Sequence, residues 1–229
     1  MDIYAQKGKS IPRKTIVIIL ELLLIWLSCW IMFQRGGDVI AGWLGIANSS
    51  GATARRTILF IFSIIVFLRM SFMMLVLLKR RMPWAEVISV PVAFAVYYVG
   101  FPLLALPVDR PIDGVDYLGI FIFAAGSFIN TCSELQRHFW KKAPAHKGRL
   151  YTEGLFRYSM HINYFGDLLW VSGYAILTRN WYAALIPALL AVLFIFFNIP
   201  LLDAHLRSKY KADFDAYAGR TRKFIPFIY

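Results

Sequence analysis

Cysteine is nearly absent from this chain: the two residues among 229, Cys29 and Cys132, each lie inside an apolar segment. Neither a disulfide framework nor a cysteine-based metal cluster is available to it. Histidine is scarce as well, four residues with no paired spacing, so a metal site is not expected. Acids are few, 13 against 25 Lys and Arg, which leaves a net charge of +12. No helix-turn-helix, zinc-finger or RNA-recognition pattern accompanies that surplus, and nucleic acid is not expected as a partner. A Gly-x-Gly-x-x-Gly turn after a strand and a Walker-type loop are both missing, which excludes a soluble dinucleotide-binding fold. Internal repeats and low-complexity tracts are missing too. What the chain has in abundance is hydrophobic residues, 59% of the total with 17% aromatic, against roughly 45–50% apolar in an average globular protein.

These residues come in long blocks instead of alternating with polar ones. Runs able to cross a hydrocarbon core of about 30 Å, at about 1.5 Å per helical residue, fall at 15–33, 57–78, 85–106, 117–133, 163–178 and 181–201. Only helices or closed barrels satisfy backbone groups in lipid, and the runs lack the ten-residue alternation of barrel strands. The fold class is therefore all-α, a polytopic membrane helical bundle of about six transmembrane helices, within a range of five to seven, carrying cytosolic helical elements. Lys7, Lys9, Arg13 and Lys14 precede the first run and no small-residue cleavage site follows it; a retained span is expected, not a signal peptide.

Alternate connections differ sharply in charge. One side receives 19 Lys and Arg, the other only Arg35, Arg55, Arg56, Arg110 and Arg179. The positive-inside rule then places both termini and the 133–162 connection in the cytoplasm, with Asp109, Asp113 and Asp116 facing away; Arg55 and Arg56 fit this orientation least well. The surplus charge suits cytoplasmic loops and anionic lipid. The 133–162 connection, basic, aromatic and punctuated by Pro144, Gly148 and Gly154, is expected to be ordered. Leu206, Tyr210, Phe214 and Tyr217 recur at helical spacing near the end of the chain, a stripe expected to pack on the bundle.

Polar groups within such blocks are expensive and mark function. On the fourth helix Asn130, Glu134, Arg137, His138 and Lys141 share one face, and on the fifth Asn163 and Asp167 stand four apart, with Trp170 and Tyr174 continuing that face. Asp203, His205 and Arg207 follow an expected helix break at Pro200. Gly126, Gly166 and Gly173 are expected to be helix contacts.

The segment from Asn130 to Tyr174, with G-L-F-R-Y at 154–158 and N-Y-F-G-D at 163–167, resembles the C-terminal domain of the steroid 5α-reductase family, in particular its bacterial branch. The likeness continues through LLDAHLRSKYKADFDAYAGRTRKFIPF, and LLKRRMPW at 77–84 is faintly similar to a loop of the reductases. The wider superfamily also holds sterol reductases and isoprenylcysteine carboxyl methyltransferases. The resemblance implies NADPH in the cytosolic mouth of the bundle, with Asn130 and Glu134 as polar ligands, Asn163 and Asp167 near the nicotinamide, and Arg157 and Tyr158 in the loop before them. Asp203, like Asp167, stands where Glu is usual, and Met160 and Ile162 stand where Arg and Pro are usual.

The residues themselves agree with that reading. A dinucleotide carrying a pyrophosphate and a 2′-phosphate needs several cations, which Arg137, Lys141, Lys142, Lys147, Arg149 and Arg157 supply. Hydride transfer asks of the protein only orientation, dryness and an acid. Glu86 is the first candidate for that acid, Tyr97 or Tyr98 could assist, and Arg69 or Glu21 could pair inside the bundle. The expected division is residues 1–116 as a variable half shaping a pocket for a lipophilic substrate, and residues 117–229 as a reductase-like half holding the cofactor. The expected activity is that of an NADPH-dependent oxidoreductase on a conjugated double bond of a steroid-like or isoprenoid enone, in a bacterial inner membrane. The alternatives are an S-adenosylmethionine-dependent methyltransferase acting on a membrane-embedded carboxylate or amine, and a scaffold without enzymatic function.

Overall fold

The computed structural model describes residues 8, 10–46, 48 and 53–229; Lys7 and Lys9, which contribute to the charge asymmetry, lie outside them. The described residues form helices α1 (Ile11–Phe33), α2 (Gly36–Leu44), α3 (Thr53–Leu77), α4 (Trp84–Ala105), α5 (Gly114–Trp140), α6 (Ile162–Leu177), α7 (Trp181–Tyr210) and α8 (Ala212–Ala218). Short 3₁₀ turns at Pro144–His146 and Gly154–Arg157 order the connection between α5 and α6. The chain is an all-helical bundle of the polytopic membrane type.

Five helices, α1, α3, α4, α5 and α7, are long and apolar enough to cross a membrane. The remaining expected run, the fifth at 163–178, is the helix α6, which has only 16 residues. At 1.5 Å per residue it spans about 24 Å, short of a hydrocarbon core. The nine-residue α2 carries no run long enough to have been read as a span, and its Trp43 stands 82% exposed.

Proline positions mark local changes in winding. Pro83 precedes α4, where its missing N–H is harmless, while Pro91 lies inside and removes one rung of the ladder. A π turn at Val96–Gly100 follows, and another at Phe194–Asn198 lies just before Pro200. The expected break at Pro200 is thus absent: the widened turn accommodates the ring, and α7 continues to Tyr210. The chain turns instead at Lys211, whose φ of 49° ends the helix.

The chain divides into two compact units. The first comprises residues 1–119 and 174–184. Its core includes Val17, Met74, Met82 and Val87 in one cluster and Ile31, Ala41 and Leu106 in another. Arg55 and Arg56, the cations that fitted the orientation least, find hydrogen-bond partners within it. Arg55 is 1% exposed and donates to Asp116 Oδ2 at 2.8 Å and to the Arg110 carbonyl at 2.8 Å. Arg56 donates to the Met32 carbonyl and to Asn48 Oδ1. A buried, paired arginine does not report membrane orientation as a free loop charge does.

The second unit comprises residues 120–173 and 185–229. Gly126 of α5 and Gly166 of α6 bring these helices into backbone contact. A Cβ on Gly126 would meet the Gly166 carbonyl at 2.7 Å, and one on Gly166 would meet the Asn130 backbone nitrogen at 2.6 Å. Small residues are what permit such approach. The terminal stripe buries Tyr210, Phe214 and Tyr217 against Met160, with Leu150 and Leu206 at the margin. Ile162 packs with Tyr151 and Phe156. The two positions at which the chain departs from its expected pattern, Met160 and Ile162, are therefore core positions here.

Candidate functional site

The close approach of α5 and α6 sets the geometry of the polar groups they carry. One turn beyond Gly126, the Asn130 side-chain amide donates to Asp167 Oδ1 at 2.8 Å and to the Asn163 carbonyl at 3.1 Å. Asp167 Oδ1 accepts a second bond, from Trp170 Nε1 at 2.9 Å. The Asn163 amide donates to Glu134 Oε1 at 3.0 Å, and Glu134 is paired through its other oxygen with Arg137. Spacings of four on two helices thus become one network of two amides and two carboxylates. Asn130 and Asn163 are buried, 3% and 8% exposed, while Asp167 and Glu134 retain partial exposure.

Cations crowd its margin. Lys141, one turn beyond Arg137, has Arg137 and Lys209 as cationic neighbours and Glu134 as the opposing carboxylate. Desolvation of its ammonium first, and then repulsion by those two cations, lowers its pKa to about 8. Lys209 comes from the far end of α7, and no spacing in the sequence linked it to this cluster. Arg137 also stacks over the Phe156 ring at 5.5 Å. Cations in surplus suit phosphate oxygens, and the amides and carboxylates suit ribose hydroxyls and a carboxamide.

Arg157 and Tyr158 are exposed and contact each other: the guanidinium donates to the tyrosine oxygen at 2.6 Å and lies 4.7 Å over its ring, which in turn approaches Phe227. Asp203 is engaged elsewhere than expected. Its Oδ1 meets His161 Nε2 at 2.8 Å and its Oδ2 lies 3.8 Å from Lys223 Nζ. That pairing went unread in the sequence, because 42 residues separate the partners.

In the first unit, Glu86 stands at the start of α4 and pairs with Arg80 at 2.8 Å, with about a quarter of its side chain exposed. Tyr98 lies twelve residues further along, about 18 Å up the same helix, so these two do not form one site. Tyr98 is fully buried in the π turn of α4 and faces Glu21 of α1, also fully buried. The Tyr98 hydroxyl is directed at the Glu21 carboxyl, and neither group is hydrogen-bonded to any other side chain or backbone group among the described residues. Tyr174 and Arg69 are electrostatic neighbours of Tyr98, and Tyr174 donates to the Leu59 carbonyl at 2.8 Å beside Ser63. Among the described residues no cluster of His, Cys, Asp and Glu could hold a metal ion.

The all-helical membrane bundle and the match of its residues 85–221 place this chain in the steroid 5α-reductase and methyltransferase-like superfamily. Within it, residues 85–221 match the family described as "Protein of unknown function (DUF1295)", and the chain belongs to that family. A 58-residue stretch, a quarter of the chain, is 41% identical to the "Probable O-methyltransferase ustE" of Ustilaginoidea virens. The match spans a fifth of that protein's length.

Proposed function

We propose that this protein is a membrane-embedded, NADPH-dependent reductase of a conjugated carbon–carbon double bond in a lipid-soluble enone, steroid-like or isoprenoid. The observation that carries the reading is the surplus of cations, Arg137, Lys141 and Lys209, at the edge of the Asn130–Asp167–Asn163–Glu134 network. Burial lowers the Lys141 pKa first and the two neighbouring cations lower it further; an anionic ligand beside this group of three cations would relieve their mutual repulsion. NADPH brings three phosphoryl groups and, when bound, supplies a hydride to the β-carbon of the enone.

The chain's own residues would orient and protect that transfer. Asn130, Asn163 and Asp167 hold the polar end of the cofactor through amide and carboxylate groups already fixed by mutual hydrogen bonds, so little ordering remains at binding. Arg137, Lys141 and Lys209 take the phosphates. The developing enolate needs an acid, and this role passes from Glu86, engaged by Arg80, to Tyr98, whose hydroxyl faces Glu21. The Tyr98 O–H would donate to the substrate oxygen, and Glu21 would hold the proton that restores it.

The charge asymmetry supports a cytosolic placement of both termini and the 133–162 connection, which would give a soluble cofactor access, and a bacterial inner membrane is the location proposed. Reporter fusions after Asp113 and Tyr229 test it, and an outward C-terminus would exclude it.

A second reading is S-adenosylmethionine-dependent methylation, favoured by the stretch shared with the O-methyltransferase. That cofactor has a sulfonium cation and no phosphate, which suits the cationic margin less well. Thermal unfolding of the detergent-purified protein with NADPH, NADH or S-adenosylmethionine separates the two. A ligand at about 100 times its dissociation constant stabilises by about 2.7 kcal/mol. Stabilisation by S-adenosylmethionine alone would replace the reductase reading.

A further inference from the structure

The start of α6 is held by parts of the chain that arrive much later. Phe165 N donates to the His161 carbonyl at 3.0 Å, which makes His161 the residue that opens the helix. A residue in that position commonly turns a side-chain oxygen back onto the first helical N–H groups. His161 instead directs its ring away, with Nε2 2.8 Å from Asp203 Oδ1 on α7. The ring is 1% exposed and its Nδ1 has no partner among the described residues. One nitrogen thus goes unpaired in the interior while the other is kept on the carboxylate.

His161 and the two residues before it are bonded to the 222–224 segment. Met160 N donates to the Arg222 carbonyl at 2.8 Å, His161 N to the Lys223 carbonyl at 3.1 Å, and Ser159 Oγ to the Phe224 carbonyl at 2.7 Å. Phe224 is fully buried beside Phe194 and Ile199, so the segment that supplies these carbonyls is itself anchored. Lys223 lies against the second oxygen of Asp203. Two residues further on from His161 comes Asn163, the amide that binds Glu134.

We infer that Asp203 is a positioning residue: through His161 and the 222–224 segment it fixes the first turn of α6 and so aims Asn163. Its value to the cofactor site rests on the reductase reading, but its action on the helix does not. Asp203 touches no member of the amide–carboxylate network in this arrangement; it acts at one remove. The conservative replacement Asp203→Glu keeps a carboxylate for His161. In His161→Gln the amide nitrogen occupies the place of Nε2 and keeps the donor.

The test uses the full-length protein in detergent without ligand, and amide hydrogen exchange read on peptides covering 162–167 and, for reference, 115–128. Asp203→Ala should speed exchange in 162–167 by about tenfold while the reference peptide is unchanged, as expected of a local opening. Asp203→Glu and His161→Gln should stay within about threefold of the parent. Unchanged exchange at 162–167, or an equal rise in both peptides, overturns the proposal. In a second arm NADPH affinity should fall by about tenfold in Asp203→Ala and recover in Asp203→Glu, a fold-change equivalent to about 1.4 kcal/mol. Weakened NADPH binding with unaltered exchange would make Asp203 a direct ligand and overturn it as well. Should the parent protein bind no NADPH, the reductase reading fails, and the exchange arm still decides the role of Asp203.

Discussion

Asn130 Nδ2 lies 2.8 Å from Asp167 Oδ1, a bond between residues 37 apart in the chain. It exists because Gly126 and Gly166 let the backbones of α5 and α6 approach. Both donors to that carboxylate oxygen, Asn130 and Trp170, are neutral.

Asp167→Asn retains an oxygen that can accept both bonds, and the ligand-free protein should lose less than about 1 kcal/mol. Asp167→Leu leaves the Trp170 and Asn130 donors unmet and should cost about 1–3 kcal/mol for each buried group. Both variants should lose the melting shift given by NADPH. A full shift in Asp167→Asn would remove the carboxylate from the site.

Lys141, with its pKa lowered to about 8, is charged below that pH and neutral above it. In the unfolded chain the proton stays on until about pH 10.4. The folded state thus carries the strain of this cation below pH 8 and sheds it as pH rises from 8 towards 10, so this group's effect on stability improves over that window. Ligand affinity moves the other way, because a phosphate needs the charge. NADPH titrations should show weakening between pH 7 and 9 in the parent and a flatter profile in Lys141→Arg.

Tyr98→Phe removes a buried hydroxyl directed at Glu21, with no other hydrogen-bond partner among the described residues. Stability should be unchanged or slightly raised, while turnover of an enone falls by at least about a hundredfold, the scale of a lost general acid. Glu86→Gln breaks the partly exposed pair with Arg80, worth under about 1 kcal/mol, and should leave turnover intact. Stopped-flow oxidation of NADPH compares the two.

Asp116→Ala should be among the most destabilising single changes in the first unit. It strands Arg55, 1% exposed, without its carboxylate, and removing one partner of a buried pair costs about 3–5 kcal/mol. Chemical denaturation in detergent should show that loss, and the double replacement with Arg55→Leu should recover part of it.

Gly126→Ala places a methyl group against the Gly166 carbonyl and the Leu169 Cβ, each at 2.7 Å. Overpacking of this kind costs about 1–3 kcal/mol, and by separating α5 from α6 it should also lengthen the Asn130–Asp167 bond and weaken NADPH binding.

Much of this was legible before folding was considered. Long apolar runs can be satisfied in lipid only as helices, so composition by itself determined an all-α membrane bundle and most of its spans. Helical spacing placed Asn130 with Glu134, and Asn163 with Asp167, because a period of 3.6 is local information. What no local rule contains is which faces meet. Asp203 and His161 are 42 residues apart, Lys209 and Lys141 68 apart, and Glu21 and Tyr98 77 apart; only packing decided these pairs. The same limit explains Glu86, whose position near a helix end suggested an acid while its side chain went to Arg80. It explains α6 as well, since hydropathy marks an apolar run without fixing where its helix stops. Periodicity assigns a residue to a face, and the opposing face that gives it a partner is chosen by burial, close approach and charge in the folded chain.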